Sequence, residues 1–173
     1  SGTMIEKASG HIQIDCGNDH NDFNETKLLK EYNKIKFFDH QGSHWAPHLI
    51  HKDYWKRIGG FSEEFNPGIG SDPDLNMKLW KTGVRIFKGI NNCRVYHFGS
   101  ITTRKKVGLT KNKGNRLFLQ KWGISSDLFL KFYLRSNTQY DGPLSSKPNI
   151  NIQYFVEFIK CKIKFYLLKI FNL

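Results

Sequence analysis

Cysteine is scarce in this chain. Cys16, Cys93 and Cys161 are the only three in 173 residues, they lie far apart, and no Cys-x-x-Cys occurs. An odd, scattered set argues against a disulfide framework and fits a reducing compartment. Acidic residues are also few, with 15 Asp+Glu against 27 Lys+Arg and a net charge of +12. Such an excess suits phosphate-rich partners: nucleotide diphosphates, nucleic acid or an anionic membrane surface. Charge alone does not choose among them. No internal repeat is visible, and no nucleic-acid motif of basic residues interleaved with aromatics stands out, so nucleic acid is the least expected partner. The opening Ser1-Gly2-Thr3-Met4 has no apolar signal core. A start on Ser rather than Met is what a fragment or a processed product would show.

What is present argues for a folded protein. The composition is 39% hydrophobic and 14% aromatic, enough for one good core and far from a disordered segment. Residues 11–15 alternate as a short strand does. Asn24 caps a predicted helix carrying Leu28, Leu29, Tyr32 and Ile35 on one face. Residues 47–51 read as a strand entering the core, and residues 52–58 as a short helix stopped by Gly59-Gly60. A helix from Pro73 ends near Gly83. Residues 84–87 and 93–96 read as two strands joined by Gly89-Ile90-Asn91-Asn92. Helices over 115–122 and 126–134 follow, and the polar, Pro- and Gly-containing residues 136–149 read as a linker.

The most informative stretch is Gly59-Gly60-Phe61-Ser62-Glu63-Glu64-Phe65 followed by Ser71-Asp72-Pro73-Asp74-Leu75. Two aspartates open an amphipathic segment, where free N–H groups and the helix dipole favour negative charge. Pro73 suits a first helical position, which makes Asp72 the expected N-cap. A carboxylate held at a helix end beside a glycine loop suits a general base, and it is also what a plain cap looks like.

The order Pro47-His48-Leu49-Ile50-His51, then the double-glycine run, then Ser71-Asp72-Pro73-Asp74-Leu75, Gly83, and Val95-Tyr96-His97-Phe98-Gly99-Ser100 resembles the C-terminal half of family 2 glycosyltransferases. The resemblance runs from about Thr3 to Arg135. It implies an α/β fold: a partial GT-A fold of nucleotide-diphospho-sugar transferases, a mixed sheet with flanking helices, followed here by a helical tail. It implies inverting, hexosyltransferase-like transfer from a nucleotide-diphosphate sugar to a glycan or lipid-linked acceptor, as in building a cell-surface polysaccharide. In that family the Asp of a Glu-Asp pair deprotonates the acceptor. The matching position is Asp72, and Ser71 stands where the Glu is usual. Asp74 then supports the helix start or holds an acceptor hydroxyl. His97 would complete the site of a divalent cation (Mn²⁺ or Mg²⁺) bound to the diphosphate, or hydrogen-bond a phosphate directly. Ser100, Thr102, Arg104 and Lys105 open a stretch without an acidic residue, suited to phosphates. Trp45 offers an aromatic face to a sugar. Trp55, Trp80 and Trp122 read as core.

The family's nucleotide-binding half, with its metal-binding Asp-x-Asp, has no counterpart here. Asp72-Pro73-Asp74 opens a helix rather than ending a strand, and Asp15-Cys16-Gly17-Asn18-Asp19 reads as a turn. The chain by itself is therefore expected to lack turnover. The other reading is a non-catalytic basic module for an anionic glycan or nucleic acid.

Residues 1–135 thus form the acceptor-side portion and 136–149 a linker. Residues 150–173 form a basic amphipathic helix whose lysines Lys160, Lys162, Lys164 and Lys169 argue against a transmembrane span. This helix lies either in a membrane interface or against protein. The expected location is cytoplasmic, with peripheral contact to the inner face of a membrane.

Overall fold

The computed structural model describes residues 1–7, 10–66, 68–99 and 111–171; of Lys111 and Asn112 it describes only the helical backbone. Strand β1 (Gly2–Glu6) is buried along its whole length, because it has a neighbour on each edge. β2 (Ile12–Gln13) and β4 (Lys88–Tyr96) both run parallel to it. β3 (His40–Gln41) pairs antiparallel with the start of β4, giving the order β2-β1-β4-β3. The protein is α/β, an open mixed four-stranded sheet with flanking helices.

β4 carries two registers. Lys88 and Gly89 pair with Gln41 and His40, and Ile90 pairs with Gly2. The ladder then resumes with Thr3 opposite Arg94, Met4 opposite Val95 and Ile5 opposite Tyr96. Asn91, Asn92 and Cys93 are extra residues that leave the ladder as a bulge. The predicted pair of strands joined by a turn is therefore corrected. Residues 84–87 are not a strand, and the Asn-Asn signal marks an excursion within one strand. Arg94 braces it, donating to the Asn91 carbonyl at 3.0 Å, to Asn91 Oδ1 at 2.9 Å and to the Ile35 carbonyl at 2.8 Å.

Helix α1 (Glu25–Tyr32) starts as expected, with the Asn24 side chain accepting from Lys27 N–H at 2.8 Å. It stops before Ile35, and none of its residues is buried; Leu29 is 64% exposed. Residues 47–51 form no strand, and Leu49 is 93% exposed. α2 (Lys52–Ile58) ends at Gly59 in the left-handed conformation, as the glycine pair implied. α3 (Ser71–Lys81) sends Leu75, Met77, Leu79 and Trp80 into the core. There they meet Phe118 of α4 (Lys111–Trp122), and Phe129 at the π-helical turn Phe129–Tyr133 that continues α5 (Ser126–Leu128).

Residues 136–149 are irregular, as predicted, but they are stitched to the body rather than tethering two parts. Gln41 N–H donates to Thr138 (2.7 Å), Tyr140 N–H to Asp39 (2.8 Å), and Leu144 N–H to Arg85 (2.8 Å). Leu144 is buried. Irregular backbone that approaches a core must still satisfy its polar groups, and this segment does so along the free edge of β3 and at Arg85. It leads into α6 (Ile152–Ile170), capped by Asn151, whose side chain accepts from Tyr154 N–H at 2.8 Å. Tyr154, Cys161 and Leu168 of α6 are buried in the same core, with Phe158 and Phe165 packed partly against it.

Candidate functional site

Because β1 and β4 are parallel, their carboxyl ends emerge together, which is where open α/β sheets place ligands. Glu6 ends β1, and His97 directly follows β4. The His97 N–H donates to the Ile5 carbonyl at 2.8 Å. Its Nδ1 makes a short contact with Glu6 Oε1. A carboxylate at Nδ1 accepts a hydrogen bond from that nitrogen and fixes the orientation of the ring.

The loop before α3 brings in Asp72. Gly70 is the N-cap, with φ 92°, and a Cβ there would stand 2.9 Å from the Phe65 ring. The Ser71 hydroxyl closes the turn by donating to the Gly68 carbonyl at 2.6 Å. The helix thus begins two residues earlier than read. Asp72 is not the cap, and Pro73 is the third helical residue, where its missing N–H still costs no intrahelical bond. Asp72 is left with its carboxyl in the first turn. Burial raises its pKa to about 6, against the opposing pull of His97 nearby. Asp72, His97 and Glu6 therefore share one electrostatic neighbourhood at the sheet's carboxyl edge.

Trp45 is linked to this edge through Asn76. The Asn76 amide donates to the Asp72 carbonyl at 2.7 Å and to the His44 carbonyl at 3.0 Å. This ties α3 to the loop holding Trp45. The Trp45 ring packs 4.6 Å from His11 and 4.1 Å from His44, with His11 and His40 only 3.8 Å apart, all centroid to centroid. His11, His40 and His44 each have their pKa lowered to about 4, chiefly by burial. Trp45 is thus engaged by neutral imidazoles, and its buried indole N–H finds no partner among the described residues.

Asp74 is corrected. It is fully buried and its oxygens are occupied: Ser62 Oγ donates at 2.6 Å, Trp122 Nε1 at 2.8 Å, and Lys121 Nζ stands at 3.0 Å. It holds the double-glycine loop against α4 and has no oxygen turned to an acceptor. An open cleft of about 530 Å³ does border the α3 start, lined by Phe61, Ser62, Glu63, Phe65, Asn66, Gly68 and Ser71. Ser100, Thr102, Arg104 and Lys105 lie outside the described residues.

Among the described residues no group of three or more His, Cys, Asp or Glu is arranged to hold a metal. One ligand arm does fit a metal: His97 with its Nδ1 against Glu6 Oε1, the usual carboxylate–histidine pairing behind a metal-binding nitrogen.

Neither family models, nor curated proteins, nor solved structures match this chain.

Glu6 and Asn76 were not picked out from the sequence. The signal for Glu6 was weak but present, as an acid closing the apolar run Thr3-Met4-Ile5. Its meaning depends on β4 arriving in parallel from the far side of the chain. Asn76 reads as an ordinary polar position of α3 until the His44 loop is in place.

Proposed function

We propose that this chain is the acceptor-side half of an inverting glycosyltransferase, which moves a sugar from a nucleotide-diphosphate donor to a hydroxyl of a glycan or lipid-linked acceptor. The observation that carries the reading is the half-buried Asp72, whose carboxyl desolvation pushes up to a pKa of about 6, beside the Glu6–His97 pair. A carboxylate with its pKa near the working pH is an effective general base. Asp72 takes the acceptor proton as the hydroxyl attacks the anomeric carbon from the side opposite the leaving diphosphate. His97, held by Glu6, contacts that diphosphate or its divalent cation. The cation, when bound, supplies charge to stabilise the departing phosphate. The cleft beside Ser71 receives the acceptor, with Phe61, 46% exposed, as an apolar face for a sugar ring. Ser100, Thr102, Arg104 and Lys105 are assigned to the phosphates on residue type alone.

The reading needs a nucleotide-binding half. The test is therefore a transfer assay against a panel of nucleotide sugars with Mn²⁺ and with Mg²⁺, on this chain joined to such a half. The chain by itself should show no turnover. In the joined protein Asp72→Asn should keep donor affinity and lower kcat by roughly 10²–10⁴-fold. Near-normal transfer by Asp72→Asn would remove the reading. Salt-sensitive oligonucleotide binding without any nucleotide-sugar binding would replace it with the basic-module reading.

A further inference from the structure

Helix α6 has two apolar faces, and among the described residues only one of them is packed. Tyr154, Cys161 and Leu168 point into the core, and Cys161 Sγ lies 3.3 Å from Ser125 Oγ. At 100° per residue the opposite side is a second apolar strip roughly 120° wide. Ile152, Phe155, Ile159, Ile163, Tyr166 and Ile170 on it are 55–84% exposed. Lysines border this strip on both sides. Lys160 and Lys164 line one flank. Lys162 and Lys169 line the other, seated 5.1 Å and 4.8 Å from the Phe158 and Phe165 ring centroids. Glu157 is the only acid in the helix, and it lies beside Lys160 at 3.4 Å.

We propose that the outer face of α6 lies flat in the interface of an anionic lipid bilayer, with its apolar strip among the acyl chains and its two lysine rows on the headgroup phosphates. Three observations select this occupant. No helix among the described residues is long and apolar enough to cross a membrane, so α6 does not span one. A second copy seated on the same strip would bring eight lysines, four from each copy, around one apolar seam, and each copy carries a net +12; like charges at such range repel. A bilayer containing acidic lipid instead supplies the opposite charge on both flanks, and the length of α6, about 28 Å at 1.5 Å per residue, gives a broad apolar contact. The inner face of α6 is fixed to α4 and α5, so the membrane would meet the whole body in one orientation. This inference does not depend on the sugar-transfer reading.

The test is co-sedimentation of the intact chain with vesicles of phosphatidylcholine alone and with about 30% phosphatidylserine. Binding is expected only to the acidic vesicles, and raising salt to about 0.5 M should weaken it. Ile159→Glu combined with Ile163→Glu should reduce binding by about tenfold or more, with the melting temperature unchanged, because both side chains face outward. Lys160→Gln with Lys164→Gln should reduce binding and leave the apolar strip intact. The proposal is overturned if the wild type ignores acidic vesicles, or if the Ile159/Ile163 variant binds as well as the wild type. It is also overturned if the wild type ignores vesicles and forms a dimer in solution that this variant disperses, which would assign the face to a second copy.

Discussion

Nζ of Lys121 lies 3.0 Å from Oδ1 of Asp74, a carboxylate with no exposed surface. The same ammonium reaches Glu64 at 2.6 Å and Ser62 Oγ at 2.9 Å. One cation at the end of α4 thus gathers the double-glycine loop and the first turn of α3. Removing one member of a buried ionic group strands the others. Asp74→Ala should destabilise by about 3–5 kcal/mol, and Lys121→Ala should do nearly as much harm by leaving Asp74 uncompensated. Urea titration of the three proteins checks this. A loss in Asp74→Ala no larger than that of an exposed substitution would sink the structural role.

Asp72 should behave in the opposite way. Its folded pKa, about 6, stands above the 3.8 of the free side chain. Folding therefore favours its protonated form, and the native state loses stability as pH rises from about 4 through 6. Asp72→Asn escapes that cost. The variant should equal the wild type below pH ~4 and exceed it by roughly 1–3 kcal/mol above pH ~7. Paired melting curves across this range measure the difference. A variant less stable at pH 8 than the wild type would show that Asp72 supports the helix rather than straining it.

The imidazole cluster should set the acid limit of the fold. His11, His40 and His44 are held neutral, with pKa lowered to about 4. Unfolded histidine titrates near 6.5. The stability that depends on their neutrality is whole above about pH 6.5 and is lost as pH falls towards 4. His40→Leu should flatten the decline of melting temperature between pH 7 and 4.5. An unchanged slope would mean that other groups control acid unfolding.

Gly70 is the hinge on which Asp72 depends. Its φ is 92°, and a Cβ would press the Phe65 ring at 2.9 Å and the Gly114 carbonyl at 3.2 Å. Gly70→Ala should cost roughly 1–3 kcal/mol. It should also shift the acid limb of any Asp72-dependent activity, because the first turn of α3 must move. Gly83→Ala is the comparison: it has a positive φ of 91° but nothing within 4 Å of a Cβ, so it should affect stability only.

The elements legible in the sequence are those set by local chemistry. Asn24 caps α1, the glycine pair stops α2, and Gly83 follows α3, each within a few residues of its signal. Asp72, marked by its place at a helix start, and His97, at the end of an apolar run, lie in the same neighbourhood. What could not be read depends on distant partners or on backbone conformation. Asn91-Asn92 looks like a turn until β1 arrives beside it. Asp74 looks available until Trp122 and Lys121 fold over it. Asp72 looks like a cap because a glycine in the left-handed region can take that place two residues earlier. Residues 136–149 look like a tether because backbone bonds to a sheet edge leave no mark on composition.

The excursion in β4 divides one strand between two clients. Its first residues answer to His40, Gln41 and, at Ile90, Gly2; its last answer to Thr3, Met4 and Ile5. Arg94 closes the loop locally through Asn91. Slack of this kind loosens the coupling between the two ends. Changes in length or packing on the imidazole side can be absorbed at Asn91, Asn92 and Cys93, while the ladder that aligns His97 with Glu6 keeps its phase. Variation among related chains would then be tolerated in the excursion, and resisted in the short parallel stretch beyond it.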